Sequence, residues 1–215
     1  MAIEKNHSLT GKLGPTVSYI LNGQIVVRII GNYIDPKTTK QLKNREKMRL
    51  TSRFIRAMHS TIKIGYQETS IDYPSNEARQ FLLKNCFSEV NESIVLEYGN
   101  IKIARGEIVP PEETSLTKID DPSGNSTQQL ALITWKKPIK QNSTDMVILA
   151  MFSDTGEQGV AWPHRNIAHR KDGTVSLPLP KSDQPVHFWM FFYNDEAANG
   201  ESRKKISDSV YLGAL

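Results

Sequence analysis

Two short runs near the start of the chain are rich in β-branched and aromatic side chains, at residues 16–21 (TVSYIL) and 24–30 (QIVVRII). Such runs favour strands, because branched side chains pack well on a pleated surface. Asn22 and Gly23 stand between them. This pair suits a two-residue type I′ turn, in which both positions need positive φ. The pattern therefore predicts a β-hairpin near the start of the chain.

A helix is predicted over residues 38–64, after Pro36 and before Gly65. Projected at about 100° per residue, its apolar side chains fall in one arc: Met48, Leu50, Phe54, Ile55, Met58 and Ile62. Cations spaced for a separate arc follow each other along the same helix: Arg45, Arg49, Arg53, Arg56 and Lys63. We call these five residues the basic face. One side of the helix is expected to pack and the other to carry positive charge.

A second helix is predicted over residues 75–87, with Ser75 as its N-cap. The run SIVLEYGNIKIAR that follows predicts two short strands joined by a turn at Gly99 and Asn100. Residues 110–128 are polar and punctuated by proline, which is typical of a linker or a long surface loop.

Beyond residue 128 the pattern changes to short strands separated by turn-rich stretches, at 130–135, 146–152, 159–163, 174–179, 186–193 and 207–212. Near-regular spacing without a helical period indicates a β-sandwich. The run 186–193 is apolar on both faces, which predicts a central strand covered on both sides. We therefore expect an α+β protein with a hairpin and helical region at 1–109, a linker or long loop at 110–128 and an antiparallel β-sandwich at 129–215.

Positive charge is concentrated at the front of the chain. Residues 1–65 hold 12 basic and 3 acidic side chains, whereas residues 66–215 hold 15 and 20, giving the overall net charge of +4. Such asymmetry favours an acidic partner for the first part, or contact between the two parts. A solvated basic helix face is the simpler interpretation.

Composition and segment lengths narrow the class of protein. The single cysteine, Cys86, excludes an internal disulfide. The sequence has no apolar run long enough for a membrane helix, and its first residues lack the apolar stretch of a secretory signal. We therefore expect synthesis in the cytoplasm. The final location stays open, with a virion or signal-independent export among the alternatives.

Several blocks in order resemble an uncharacterised family from Bacteroidota that carries a domain of unknown function. The blocks are the opening GKLGPTVSYILNGQIVVR, the helix start PKTTKQLKNREK, the middle IKIARGEIVP and the ending VSLPLP, VHFWMFFY and SDSVYLG. The family's helix motif falls on Pro36, Thr38, Gln41 and Arg45, and its sandwich positions fall on Trp135, Asp145 and Ser207 to Gly213. The resemblance implies an N-terminal hairpin with a helix and a C-terminal Ig-like sandwich, and it implies no activity.

Motifs for catalysis are missing from the sequence. It has no Walker loop, no dinucleotide-binding glycine pattern and no nucleophile elbow. Cys86 lies on the apolar face of the second predicted helix, which favours a buried, inert thiol. His164 and His169 are surrounded by Arg165, Arg170 and other cations, which repel a divalent metal ion. We therefore predict no enzyme, no catalytic or metal-binding residue and no cofactor.

Two regions remain as candidate binding sites. The basic face favours a solvated surface, a protein-docking surface or a surface that binds nucleic acid or another polyanion. The stretch WPHRNIAHRKDG predicts an interface loop with Trp162, His164, Arg165, His169 and Arg170, unless Trp162 fills the core. The leading hypothesis is a structural or protein-binding protein that serves as a subunit of a larger assembly, with a protein partner or self-association. Polyanion binding is the alternative.

Overall fold

The computed structural model of the protein describes residues 3–5, 8–31, 35–70, 72–120, 128–138, 145–194 and 205–215. Its backbone divides into two compact units, Met1–Thr39 and Lys40–Leu215. The helices and antiparallel sheets together give an α+β fold, as predicted.

The first unit is a four-stranded antiparallel sheet whose strands follow each other in chain order. The strands are β1 (Ile3–Lys5), β2 (Ser8–Leu13), β3 (Thr16–Leu21) and β4 (Gln24–Ile29). Asn22 and Gly23 join β3 to β4 with φ of 50° and 78°. Two positive φ values are what a type I′ turn requires, so the predicted hairpin is confirmed.

The helices of the second unit are α1 (Thr39–Ala57), α2 (His59–Gly65) and α3 (Pro74–Asn85). The prediction of one helix over 38–64 was wrong at Met58, where ψ is 9° and the helix is interrupted. The apolar spacing continues across the break, since Phe54, Met58 and Ile62 are all buried. The spacing of the apolar residues therefore does not reveal the interruption of the helix. No helix in the described residues has the length and apolar character needed to span a bilayer.

Two local predictions between residues 73 and 105 were also wrong. Ser75 does not cap α3, because Tyr73 takes the N-cap position and Pro74 begins the helix. Proline is well suited to that first position, where its missing N–H has no helical role. The predicted turn at Gly99 lies instead in a 3₁₀ helix, Tyr98–Asn100. The hairpin lies just before it, formed by β5 (Phe87–Val90) and β6 (Ser93–Leu96).

The remaining strands form two antiparallel sheets. Their bounds are β7 (Ser115–Asp120), β8 (Gln129–Thr134), β9 (Met146–Asp154), β10 (Gly159–His169), β11 (Thr174–Pro178), β12 (Val186–Asn194), β13 (Lys205–Ile206) and β14 (Val210–Ala214). One sheet has the order β11-β8-β7, and the other has the order β10-β9-β12 with β13 and β14 both paired to β12. The chain crosses between the sheets after β8, β10 and β11. These crossings make an Ig-like sandwich.

The larger sheet is covered on both faces. On β9, Val147, Leu149 and Met151 face the three-stranded sheet and form the sandwich core. The alternate residues Ile148, Ala150 and Phe152 face the helices and form a second core. Residues of β12 divide in the same way. The predicted central strand at 186–193 is therefore confirmed, and the second unit has three layers.

The predicted linker contains part of the sandwich. Ser115–Asp120 is a strand paired with β8, and residues 121–127 lie outside the described residues. The compact units divide at Thr39, not within 110–128. Hydrogen bonds join the two predicted domains directly, since Ser209 Oγ accepts from the backbone N–H groups of Ile103 and Ala104 at 2.9 and 3.2 Å.

Phe54 connects the helical layer to the larger sheet, and its replacement by alanine tests this packing. Its ring meets those of Phe152 and Trp189 edge to face, at centroid distances of 4.9 and 5.7 Å. We expect Phe54→Ala to lower the free energy of unfolding by about 3–5 kcal/mol in urea denaturation. Met48→Ala, at an exposed position of the same helix, should change it by less than about 0.5 kcal/mol. Equal effects of the two variants would contradict the layer arrangement.

Candidate functional site

The basic face is not a uniform row of solvated cations. Arg45, Arg49, Arg56 and Lys63 are exposed, but Lys63 lies on α2, beyond the interruption at Met58. Arg49 forms a two-point ion pair with Glu46 on the same helix, with N–O distances of 2.6 and 2.8 Å. The pairing lowers the pKa of Glu46 and raises that of Arg49. Part of the positive charge is therefore compensated locally.

Arg53, predicted as a surface cation, is a structural group. Its guanidinium donates to Asp154 Oδ2 at 2.7 Å and to the carbonyl oxygen of Gly156. Both side chains of the ion pair are largely buried. The pair ties α1 to the end of β9. Removing one partner of such a pair leaves the other charge buried and uncompensated, which is strongly destabilising.

A cluster of polar aromatic side chains adjoins this ion pair. Tyr98 donates to Asp154 Oδ2 at 3.3 Å and stacks on His187, with ring centroids 3.8 Å apart. His187 Nδ1 lies 2.8 Å from the hydroxyl of Tyr211. Burial lowers the pKa of His187, partly opposed by the charge of Asp154, and it raises the pKa values of both tyrosines. The sequence did not predict this cluster, because its members lie far apart along the chain.

The predicted interface loop at 162–170 is mainly strand. Trp162, His164, Arg165 and His169 lie on β10, at an outer edge of the larger sheet. Arg165 donates to the carbonyl oxygen of Ser60 at 3.0 Å. Every second residue of this segment, Val160, Trp162 and His164, lies on the same side of the sheet as its partner on β9. This period of two is typical of a strand with one face inward, which is why the segment forms a strand and not the predicted loop.

Most side chains of this segment have structural contacts. Arg170 pairs with Asp145 at 3.1 Å, lies over the ring of Phe192 and accepts a bond from Trp135 Nε1 through its carbonyl oxygen. His169 caps the short 3₁₀ helix Arg170–Asp172. Burial lowers the pKa of His164.

Trp162 is half-buried and packs on the sandwich core, while also lining a cleft of about 570 Å³ beside Lys181 and Ser182.

The groups considered for chemistry are separated from each other. Burial raises the pKa of the Cys86 thiol to about 11, and its sulfur donates to the carbonyl oxygen of Asn100. The thiol is therefore protonated at neutral pH. His164 lies opposite Leu149 on the sandwich side of the sheet, whereas His187 faces the helical side with Tyr98. Among the described residues, no three His, Cys, Asp or Glu side chains are grouped to hold a metal ion.

Among the residues that the structure describes, the N-terminal sheet has the largest set of neighbouring exposed apolar side chains. Strand register places Leu13, Thr16 and Ile29 in one row, Gly11, Ser18 and Val27 in the next, and Ile20 with Ile25 in the third, all on one face. We call this the uncharged face, because none of these side chains is charged. Its five large members, Leu13, Ile20, Ile25, Val27 and Ile29, are 40–77% exposed. From Thr10 to Gly31, Ser18 is the one buried residue.

The opposite face of β2–β4 carries their two cations, Lys12 and Arg28. Lys12, Val17 and Arg28 form a row there, and the Arg28 guanidinium lies 5.9 Å from the ring centroid of Tyr19. The two faces therefore differ in kind. One is mixed and cationic, as a solvated sheet face usually is, and the other is aliphatic.

The outer strand β4 lacks the features that protect other edges of this protein. β10 contains Pro163 and an irregular register between Arg165 and His169, and β11 ends at Pro178. Proline and bulges at an edge discourage pairing with another chain. β4 reads QIVVRI, with one charged residue and no proline. An unprotected edge beside an exposed aliphatic face is typical of a surface that another molecule covers.

Comparison with known families confirms that the chain carries a domain of unknown function. The model of a family of unknown function, DUF6266, matches residues 8–213. The chain belongs to this family. No curated protein and no solved structure matches it. The DUF6266 match begins at the start of β2 and ends within β14, so it includes three of the four strands of the N-terminal sheet and nearly all of the sandwich.

Covering the uncharged face of this DUF6266 protein would release substantial free energy. Full burial of one aliphatic side chain is worth about 1.5–3 kcal/mol, so the exposed fractions of the five large residues correspond to roughly 4–8 kcal/mol per copy. The basic face and the 162–170 segment offer less, because several of their side chains are already engaged. We therefore take the uncharged face as the candidate site.

The half-buried His187 makes stability depend on pH. Because burial lowers the pKa of His187 below its ordinary 6.5, the unfolded chain binds a proton that the folded chain rejects. The contribution of His187 to stability is therefore full above pH 6.5 and decreases as pH falls towards the folded-state pKa. We expect His187→Phe to reduce this loss, by up to about 1.4 kcal/mol per pH unit, in urea denaturation between pH 7 and 5. Identical slopes for both proteins would contradict this role.

Polyanion binding by the basic face should be weak. Since Arg53 and Arg49 are engaged with Asp154 and Glu46, we expect retention on phosphocellulose to depend on Arg56 and Lys63. Two phosphate contacts predict a slope of about −2 in log K against log salt. Arg56→Glu/Lys63→Glu should abolish that retention, with Arg165→Gln as the control. A much steeper salt dependence would instead favour a dedicated polyanion site.

Proposed function

We propose that this DUF6266 protein is a non-enzymatic structural subunit of a larger assembly, and that it contacts a neighbouring protein through the uncharged face of its N-terminal sheet. The observation that carries the proposal is the exposure of five aliphatic side chains on one face of a sheet that has little core of its own. A small sheet needs its apolar face packed against something to be stable in water.

The second unit suits a supporting role. Its Ig-like sandwich is filled by apolar side chains, and its largely buried cations Arg53 and Arg170 are held in ion pairs. Ig-like domains without catalytic groups commonly present edges or loops to partners. The non-enzymatic part of the proposal is supported by the protonated, buried Cys86 and by the opposite orientations of His164 and His187.

The kind of assembly and its location belong to the same proposal. We infer a particle or apparatus such as a phage-like or secretion-related complex in a Bacteroidota cell, with synthesis of the subunit in the cytoplasm. The β-rich fold and the resemblance described above support this inference. Polyanion binding through Arg56 and Lys63 is the alternative function.

The proposal is tested in the native host with the chromosomal sequence changed at one position. In gentle lysates resolved by size exclusion and followed by peptide mass spectrometry, the wild-type chain should elute well above its own mass of 24.3 kDa. Ile25→Lys places a charge on the uncharged face and should shift the chain to the monomer position, because a buried unpaired charge is costly.

Leu21→Lys is the matched control for this experiment. Leu21 and Ile25 flank the same turn and are 54% and 56% exposed, but Leu21 lies on the opposite face of the sheet. The control should leave the elution unchanged. A wild-type chain that elutes as a monomer, or a complex that survives Ile25→Lys, would overturn the proposed function.

A further inference from the structure

We propose that the partner of the uncharged face is the same face of a second copy of this chain. Two N-terminal sheets would then pack face to face and form a small sandwich with a shared aliphatic core. This inference rests on the proposed function and names the partner of that site.

The first argument is chemical matching. An aliphatic face without charges needs a partner surface of the same kind, because any charged or polar group placed against it would lose its water without gaining a hydrogen bond. The other exposed large apolar side chains that the structure describes in the second unit occur singly or in pairs on separate elements: Leu42, Met48, Tyr73, Val90, Val95, Val109 and Val160. The described residues therefore offer one extended aliphatic match, which is the same face on another copy.

The second argument is electrostatic. Each copy carries a net charge of +4, so two copies repel each other unless their contact excludes the cations. The register of the sheet does this, because Lys12 and Arg28 lie on the face opposite to Ile25, Val27 and Ile29. Within β2–β4, a contact between two uncharged faces therefore brings no like charges together. It is also isologous, so a two-fold axis closes it as a dimer.

The third argument is geometric. The uncharged face consists of three cross-strand rows, and its most exposed members, Val27 and Ile29, lie on the outer strand β4. Two sheets that pack face to face approach to about 10 Å and interdigitate their side chains. Such packing gives each sheet the apolar core that residues 10–31 lack by themselves. It also brings the unprotected strand β4 into the rim of an interface.

The test measures the mass of the purified full chain by light scattering after size exclusion, over a range of protein concentrations and at low and high salt. We expect wild type to have twice the 24.3 kDa chain mass at both salt concentrations, since an apolar contact is not screened. Ile25→Lys should weaken the dimer on the order of 100-fold, because each copy brings a charge into the contact. Leu21→Lys should leave the dimer intact.

Urea denaturation of each variant separates loss of the dimer from loss of the fold. If Ile25→Lys also lowers the unfolding midpoint of the N-terminal unit, Val27→Thr, which keeps the branched shape but adds a hydroxyl, replaces it as the test variant. A dimer that neither variant weakens, or one that Leu21→Lys weakens equally, overturns the inference.

The outcomes distinguish this inference from the proposed function. A purified monomer, together with a lysate complex that Ile25→Lys abolishes, means that a different protein covers the face; the inference then fails and the proposed function stands. A purified monomer together with a wild-type monomer in the lysate overturns both. A purified dimer sensitive to Ile25→Lys but not to Leu21→Lys supports both.

Discussion

The apolar character of both faces of β9 and β12 is the constraint on which the second unit depends. A strand that is hydrophobic on one face needs one covering layer. The residues of β9 from Val147 to Phe152 alternate between two cores, so β9 needs a covering layer on each face. The three-stranded sheet satisfies one side and the helices satisfy the other. The helical layer therefore buries the second face of the larger sheet. Its residues Phe54, Met58 and Ile62 lie in the core between the two layers.

The same constraint explains why the candidate surface lies elsewhere. Close packing of the layers also brings their charged groups into ion pairs. Arg53 links α1 to β9, and Arg170 links the 3₁₀ helix Arg170–Asp172 to the segment before β9. Two of the cations that the sequence predicts for contact with a partner, Arg53 and Arg170, are thus used internally. The N-terminal sheet has no second layer in residues 10–31, and its apolar side chains remain available for contact.

Patterns that depend on near neighbours predicted much of this fold. The turn at Asn22 and Gly23, most sandwich strands and the covered strand at 186–193 follow from local chemistry and from period. Features that depend on distant contacts were missed: the break at Met58, the strand at 115–120, and the cluster of Tyr98, His187 and Tyr211. The membership of the uncharged face could be predicted in part, because a type I′ turn fixes which residues of β3 and β4 share a face. The exposure of this face could not be predicted, because both faces of the hairpin carry apolar residues.

The links between residues 65–108 and 205–209 affect how the second unit can be divided. Glu68 accepts from the backbone N–H of Ile206 at 2.9 Å, Ile108 donates to the carbonyl oxygen of Ile206, and Ser209 receives two bonds from Ile103 and Ala104. The last strands of the sandwich are thus held by the segment that follows the helices. A fragment that begins at the polar stretch around residue 120 would leave buried backbone groups unpaired and one face of β12 bare to water. Because residues 40–215 form one compact unit, we expect them to unfold together, and we expect the Ig-like part excised alone to aggregate.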